Sequence, residues 1–209
     1  MPDSARIVAG VGEYYTGKLR EHGPSPRGVD WNGEESQRLR FEQLLKACPG
    51  DGGFSLLDYG CGYGALLSHL EASAGGVEYI GFDISEAMVR SAREQHGEGP
   101  RHRFTADRER LEPADFVVAS GIFNVSLGFA HDDWRRYIAE TLDAMRALSR
   151  RGFAFNMLTS YSDADRMRPD LYYAEPAEYF DLCKRTFSRN VALLHDYDLY
   201  EFTVLVRLP

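Results

Sequence analysis

The stretch of sequence from residue 54 to residue 70 constrains the fold most strongly. It begins with an apolar run at residues 54–57, which is typical of a buried strand, and Asp58 follows directly. Three glycines then alternate with other residues, at Gly60, Gly62 and Gly64. Glycine permits a tight turn and lets a ligand lie against the main chain where a Cβ would block it. Since an apolar helical pattern starts at Ala65, the stretch predicts a strand, a ligand-binding turn and a helix in succession.

The charge beside this turn separates two classes of ligand. Residues 60–65 also fit the G-x-G-x-x-A pattern of dinucleotide-binding turns, which is weak when it stands alone. Such a turn presents a pyrophosphate to the N-terminus of a helix, and the Asp58 carboxylate would lie unfavourably close to that dianion. A cationic ligand without a phosphate suits Asp58 better. The charge pattern therefore argues against a nicotinamide dinucleotide, and a turn that binds nothing is a third alternative.

Asp58 and the three glycines resemble the first motif of the class I S-adenosylmethionine-dependent methyltransferases, D/E-x-G-x-G-x-G, and they match it in full. The resemblance extends over about residues 30–209 and is closest to the small-molecule enzymes of that family. It implies that S-adenosylmethionine is the cofactor and S-adenosylhomocysteine the product. It also implies that Asp58, Gly60, Cys61 and Gly62 contact the cofactor.

The order of predicted elements indicates an α/β fold. Helical patterns separate most of seven predicted strands, which cover residues 54–57, 77–82, 102–105, 116–119, 153–158, 191–195 and 202–207. The connection at residues 196–199 is too short for a parallel crossover, so the last two strands form an antiparallel hairpin. We therefore predict a doubly wound, mostly parallel seven-stranded sheet with an antiparallel C-terminal hairpin. This order resembles the class I methyltransferase fold, whereas a nicotinamide-binding domain more often ends in a parallel strand.

The chain divides into two predicted parts, an N-terminal lid or substrate segment at residues 1–33 and a cofactor-binding domain at residues 34–209. Local patterns set several helix boundaries. Asn32 with Glu35 predicts a capping box for the first helix of the larger part. Asp132 or Asp133 is expected to cap a long helix, and Gly152 to end it.

Further cofactor contacts follow from the resemblance, because ligands of open α/β sheets bind beyond the carboxyl ends of the strands. An acid at the end of the second strand holds both ribose hydroxyls in the family, and a carboxylate can accept two charge-assisted hydrogen bonds. Asp83 occupies that place. The other residues that the family pattern assigns to the cofactor are Ile84, Met88, Ala106, Asp107, Ser120 and Gly121.

The segment after the fourth strand, from Ser120 to Asn124, departs from the Asn/Asp-Pro-Pro-Tyr form used on nucleic-acid bases and glutamine amides. This departure resembles the looser form of the small-molecule enzymes, so a small-molecule acceptor is expected, and we take the methylated atom to be an oxygen or nitrogen. Asn124 and His195 are the candidate catalytic residues, with His195 as a base if the acceptor must lose a proton. The candidate acceptor contacts are Tyr15, Tyr161, Tyr172 and Tyr197.

The composition of the chain limits the kinds of binding partner that we expect. The net charge of −8 and the lack of a basic stripe argue against nucleic acid, and no apolar run is long enough to span a membrane. Three cysteines without metal spacing fit a reduced cytoplasm, and no metal is expected. A monomer or homodimer is expected. Two alternatives stay open: other chemistry on the same cofactor, and a non-catalytic binding module, although intact Asp58 and Asp83 argue against the latter.

Overall fold

The computed structural model describes residues 2–50, 53–73 and 76–209. Its strands are β1 Ser55–Tyr59, β2 Glu78–Phe82, β3 His102–Thr105, β4 Ala114–Ala119, β5 Ser149–Leu158, β6 Asn190–Leu194 and β7 Glu201–Arg207. Its helices are α1 Pro2–His22, α2 Glu34–Leu45, α3 Ala65–Ser73, α4 Glu86–His96, α5 His131–Ala147 and α6 Pro176–Thr186. Short 3₁₀ turns cover Pro26–Val29, Arg108–Arg110 and Ala164–Arg166.

The seven strands form one sheet in the order β3-β2-β1-β4-β5-β7-β6. The pairs among β1 to β5 are parallel, whereas β7 pairs antiparallel with both β5 and β6. The chain reverses its direction of travel across the sheet between β1 and β4, and ligands of open α/β sheets bind at such a switch point. The predicted fold class is confirmed, including the C-terminal hairpin.

Two hydrophobic layers cover the sheet, because successive strand residues point to opposite faces. On one face α1, α5 and α6 pack against residues such as Leu57 and Val117. On the other face α2, α3 and α4 pack against residues such as Leu56 and Val118. Since β1 and β4 are buried on both sides, their carboxyl ends are held rigidly at the switch point.

Helix α1 belongs to the first of these layers. Ile7 and Val11 are buried there together with Tyr59, Phe82 and Trp134. The N-terminal segment is thus packed onto the core of the sheet, and the division of the chain at residue 33 stays a prediction. In the part of the chain that the structure describes, no helix is both long and apolar enough to cross a membrane.

Three predicted helix boundaries are wrong. Helix α2 begins at Glu34 after Gly33, and α5 begins at His131 after Ala130, in both cases without a side-chain cap. Asn32 therefore caps nothing. Asp132 and Asp133 lie instead in the first turn of α5. Their negative charges interact favourably there with the positive end of the helix dipole.

Gly152 does not end α5, because it lies inside β5. A Cβ at this position would lie 2.6 Å from the Val206 carbonyl oxygen of the neighbouring β7. The glycine therefore serves the close approach of two strands and not the end of a helix.

Candidate functional site

A cavity, here called the first cavity, opens at the carboxyl ends of β1, β2 and β4. Many of its lining residues were predicted from the sequence, namely Tyr15, Asp58, Gly60, Cys61, Gly62, Asp83, Ile84, Met88 and Ser120. Other lining residues were not among the predicted contact residues, namely Val11, Val29, Trp31, Gln37, Tyr63, Ile122 and Tyr137. The structure thus brings most of the predicted cofactor residues together around one space.

The glycine turn needs its glycines. Gly60, Gly62 and Gly64 have φ values of 92°, 53° and 87°, a region that side chains rarely adopt. A Cβ on Gly60 would also lie 2.3 Å from a methyl group of Ile122. The turn is fixed to the end of β2 because the amides of Gly60 and Cys61 both donate to the Phe82 carbonyl oxygen, at 2.7 and 2.9 Å.

Asp83 ties this turn to the start of α4. Its Oδ2 accepts a hydrogen bond from the Gly62 amide at 2.9 Å, and its Oδ1 accepts one from the Ser85 amide at 2.8 Å. Burial raises the pKa of Asp83 to about 6, although these two bonds oppose the shift. Each carboxylate oxygen has more than one lone pair, so the group retains capacity for further donors.

Asp58 is the second buried carboxyl group of the cavity. Its Oδ2 accepts a hydrogen bond of 2.7 Å from the Tyr79 hydroxyl. Burial raises the pKa of Asp58 to about 7, and the nearby Asp83 carboxylate adds to the rise. Among the described residues, no lysine, arginine or histidine forms an ion pair with Asp58 or Asp83. Two buried carboxyl groups without cations favour a ligand that brings positive charge.

The wall of the first cavity also contains an unused hydroxyl and an inert thiol. Ser120 Oγ is buried and has no hydrogen-bond partner among the described residues. The Cys61 thiol is buried, and burial raises its pKa well above the ordinary value, so it is a poor nucleophile. The orphaned hydroxyl, the glycine cradle and the two unpaired carboxyl groups together fit the polar, cationic ligand that the sequence predicts.

Residues of the predicted lid lie over the glycine turn. A Cβ on Gly62 would come within 3.0 Å of a Val29 methyl group, which therefore packs closely above the turn. Trp31 lies above Gly121 in the same way, with its ring 2.3 Å from the position of a Cβ there. A ligand that lies directly against Gly62 therefore requires the Val29 side chain to move aside.

A second cavity of about 470 Å³ adjoins the first, and Tyr15, Val29 and Trp31 line both. Its wall includes Gly121 and Asn124, which the sequence predicted, together with Asp30, Arg40, Arg166, Arg168, Tyr173, Asp198, Tyr200 and Glu201. Gly121 is held by its amide, which donates to Asn156 Oδ1 at 2.7 Å. Asn124 Oδ1 accepts from the Leu158 amide at 3.1 Å.

A buried ion pair supports this second cavity, and sequence reasoning missed it. Arg40 of α2 donates to both oxygens of Glu201, with distances of 2.7 to 2.9 Å, and Asn156 Nδ2 donates to the same carboxylate at 2.6 Å. Arg40 lies four residues before Leu44, on the buried side of α2. A charged residue such as Arg40 on the apolar side of a helix indicates that a buried partner of opposite charge is present, and this was the signal available in the sequence.

Several predicted site residues lie elsewhere. Ala106 and Asp107 line a separate surface depression, where Asp107 accepts a hydrogen bond from the Glu109 amide. His195 is exposed and lines neither cavity; its ring is 5.8 Å from that of Tyr161, which is itself 71% exposed. The position of His195 gives no support to its predicted role as a base.

Two of the four predicted acceptor tyrosines are buried in the protein. The Tyr172 hydroxyl lies 3.0 Å from the Tyr179 hydroxyl, and the Tyr197 hydroxyl lies 2.9 Å from Thr203 Oγ1. Neither residue lines the first or the second cavity, and of the four predicted tyrosines Tyr15 is the one that lines them. No group of three or more His, Cys, Asp or Glu residues that could hold a metal is found within residues 2–50, 53–73 and 76–209.

Gly121→Ala is expected to lower the free energy of unfolding by about 2–4 kcal/mol, because a Cβ there adds a collision with Trp31 to the strain of φ +71°. Gly128→Ala is the matched control. Gly128 is exposed in a turn and has φ +74° with no atom within 4 Å of a Cβ, so we expect a loss of only about 1 kcal/mol. Urea denaturation of both variants measures the difference, and equal losses would show that Trp31 does not pack on Gly121.

Comparison with known proteins identifies the family of the chain. A family model described as a methyltransferase domain matches residues 57–152. Rv1506c of Mycobacterium tuberculosis H37Rv, which is named as a methyltransferase, is 54% identical over 154 residues, or 74% of this chain and 93% of Rv1506c.

Solved structures support the fold. The N-methyltransferase NodS from Bradyrhizobium japonicum WM9 aligns with a TM-score of 0.64 at 14% identity, over 95% of this chain and 98% of NodS. A SAM-dependent methyltransferase from Aquifex aeolicus aligns with a TM-score of 0.61 at 17% identity, over 84% of this chain and 94% of that one. The motif, the strand order and the Rv1506c relationship agree, and the chain therefore belongs to the class I S-adenosylmethionine-dependent methyltransferases.

Proposed function

We propose that this enzyme transfers a methyl group from S-adenosylmethionine to an oxygen or nitrogen atom of a small molecule held in the second cavity. The observation that carries the proposal is the shared wall: Tyr15, Val29 and Trp31 line both cavities, so the two ligands would meet there. The volume of about 470 Å³ lies within the range of small-molecule pockets.

The first cavity is the proposed cofactor site. Bound S-adenosylmethionine supplies a methyl group that its sulfonium has already activated. We assign the ammonium group to the vicinity of Asp58, directly or through water, and the ribose hydroxyls to Asp83. Ser120 Oγ offers a further hydrogen bond, since it has none within the described residues. Close approach to Gly62 requires the Val29 side chain to move from above the turn.

The protein's own contribution is mainly alignment. Methyl transfer is an in-line displacement, so holding the acceptor atom at the correct distance and angle supplies much of the acceleration. When Tyr15, Val29 and Trp31 close over the junction they also exclude water. Asn124, a predicted catalytic residue, fits a positioning role because its side chain lies on the wall of the second cavity. The expected cytoplasmic location, the absence of nucleic-acid partners and a monomeric or homodimeric state stay predictions.

Calorimetric titration with S-adenosylhomocysteine, with NAD as the control, tests the cofactor site. We expect micromolar binding of the former and none of the latter. Transfer of a labelled methyl group to small acceptors then tests the second cavity. Binding of NAD alone, or of neither ligand, contradicts the proposal, as does methylation confined to proteins or nucleic acids.

The affinity for S-adenosylhomocysteine is expected to rise about tenfold between pH 5.5 and pH 8, because its ammonium group prefers ionised carboxylates. The pKa values of Asp58 and Asp83 are raised from 3.8 to about 7 and about 6. In the unliganded protein the raised values favour the neutral forms, so their stabilising contribution is present at acid pH and is lost as the pH rises towards 7.

Calorimetry and thermal melts across this pH range check both signs. The increase in Tm caused by the ligand should be larger at pH 8 than at pH 5.5. The Asp58→Asn variant should show a flatter pH profile. A profile that is flat in the wild-type protein would mean that neither carboxyl group faces the ligand.

A further inference from the structure

The wall of the second cavity is electrically balanced. Three cationic and three anionic side chains line it, namely Arg40, Arg166, Arg168, Asp30, Asp198 and Glu201. Arg40 is paired with Glu201 in a bidentate contact, and Arg168 lies 3.6 Å from Asp30. A phosphate or carboxylate would have to compete with these carboxylates for the arginines, and an ammonium would have to compete with the arginines for the carboxylates. The cavity therefore favours an occupant without formal charge.

Two residues of this wall hold buried N–H groups without a partner. Arg40 is 6% exposed and Asn124 is 4% exposed. Within the described residues, Arg40 Nη1 and Asn124 Nδ2 have no hydrogen-bond acceptor. An unsatisfied buried donor costs about 1–3 kcal/mol, so both groups gain from an oxygen atom that a ligand brings. Their donors suit hydroxyl, ring or carbonyl oxygens.

Aromatic side chains complete the wall. Tyr15, Trp31, Tyr173 and Tyr200 line the second cavity, and the Arg40 guanidinium lies 3.8 Å from the centre of the Trp31 ring. Aromatic rings offer flat apolar surfaces, and the tyrosine hydroxyls both donate and accept hydrogen bonds. A ring with C–H faces would pack against the aromatic side chains, and its hydroxyl oxygens would accept hydrogen bonds from the N–H donors. Such a ring without formal charge also suits the balanced charges of the wall.

We propose that the acceptor is a neutral polyhydroxy ring, such as a sugar residue, and that one of its hydroxyl oxygens is methylated. This inference rests on the proposed methyl transfer. The acceptor oxygen forms a bond to the methyl carbon while the carbon–sulfur bond breaks, which leaves S-adenosylhomocysteine. The hydroxyl proton is released to solvent. The Asp30 carboxylate lines the same cavity, but the Tyr14 hydroxyl donates to it at 2.9 Å and Lys18 Nζ lies 3.2 Å from it, so we assign no side chain as the base.

A binding measurement on the protein saturated with S-adenosylhomocysteine tests the acceptor class. The chain has two tryptophans, and Trp134 is fully buried, so a change in emission caused by an acceptor reports on Trp31. The probes are methyl glucoside, glucuronate, glucose 6-phosphate, glucosamine and catechol. We expect methyl glucoside to change the emission at concentrations at least tenfold lower than the charged sugars and catechol.

Transfer of labelled methyl groups to the same five compounds gives a second measure, and we expect an O-methyl product from the neutral glycoside. Preference for glucuronate, the phosphate, the amine or catechol would overturn the inference while leaving methyl transfer in place. Binding of S-adenosylhomocysteine without a response to the neutral glycoside, in either assay, would overturn it as well. Failure to bind S-adenosylhomocysteine would instead refute the proposed function.

Asn124→Asp probes the buried donor directly. It replaces the Nδ2 amide by an oxygen but keeps an oxygen for the Leu158 amide. We expect affinity for methyl glucoside to fall at least tenfold, with unchanged affinity for S-adenosylhomocysteine as evidence of a folded protein. Asn190→Asp makes the same chemical change at an exposed position at the start of β6 and should alter neither affinity. Equal glycoside affinity in Asn124→Asp and the wild-type protein would remove Asn124 from the acceptor site.

Discussion

The Asp83→Ala variant is expected to bind S-adenosylhomocysteine about 100-fold more weakly than the wild-type protein. This loss corresponds to about 2.7 kcal/mol, which two charge-assisted hydrogen bonds to the ribose hydroxyls readily supply. The Asp83 carboxylate also accepts hydrogen bonds from the backbone amides of Gly62 and Ser85, so its removal loosens the glycine turn. Both effects act in the same direction, and calorimetry measures their sum.

Two further variants separate the contributions to this loss. Asp83→Asn keeps an oxygen for one amide but removes the charge, and we expect a loss of about tenfold in affinity. Asp143→Ala removes an exposed carboxylate of α5 and should leave the affinity unchanged. Thermal melts of the unliganded variants show how much of the effect comes from the turn. An affinity of Asp83→Ala within threefold of wild type would exclude Asp83 from the cofactor site.

Much of the fold and of the proposed cofactor site follows from the sequence because the signals are local. The strand that contains Asp58 and the helix that begins at Ala65 are recognisable from short apolar patterns, and the glycines between them mark a turn with positive φ. Likewise, the short connection between the last two predicted strands fixes their antiparallel arrangement. Features set within about ten residues of chain are those that a single sequence can reveal.

The acceptor side could not be predicted in the same way, because distant segments build it. Arg40 and Glu201 are 161 positions apart, and no local pattern pairs them. Tyrosines illustrate the same limit: Tyr172 and Tyr197 are buried behind the cavities, whereas Tyr173 and Tyr200, a few residues further along the chain, line the second one. Loop conformation decides which neighbour faces the ligand, and loops carry function on a scaffold that sequence patterns describe better.

The same Arg40–Glu201 pair gives the largest expected change in stability. Glu201→Ala should lower the free energy of unfolding by about 3–5 kcal/mol, because it leaves the Arg40 guanidinium charged, buried and without a counterion. For a chain of this size each kcal/mol shifts Tm by about 2–4 °C, so the melting temperature should fall by roughly 6–20 °C. The loss also removes the acceptor for Asn156 Nδ2, and thereby the fixed position of the Gly121 amide.

Two controls distinguish a buried charge from a lost contact. Glu42→Ala breaks the exposed pair between Arg38 and Glu42 on α2 and should cost about 0.5 kcal/mol or less. The double variant Arg40→Met/Glu201→Met removes both charges, and we expect it to recover most of the stability that Glu201→Ala loses. A double variant as unstable as Glu201→Ala would show that the guanidinium–carboxylate geometry itself, and not an uncompensated charge, holds α2 against β7.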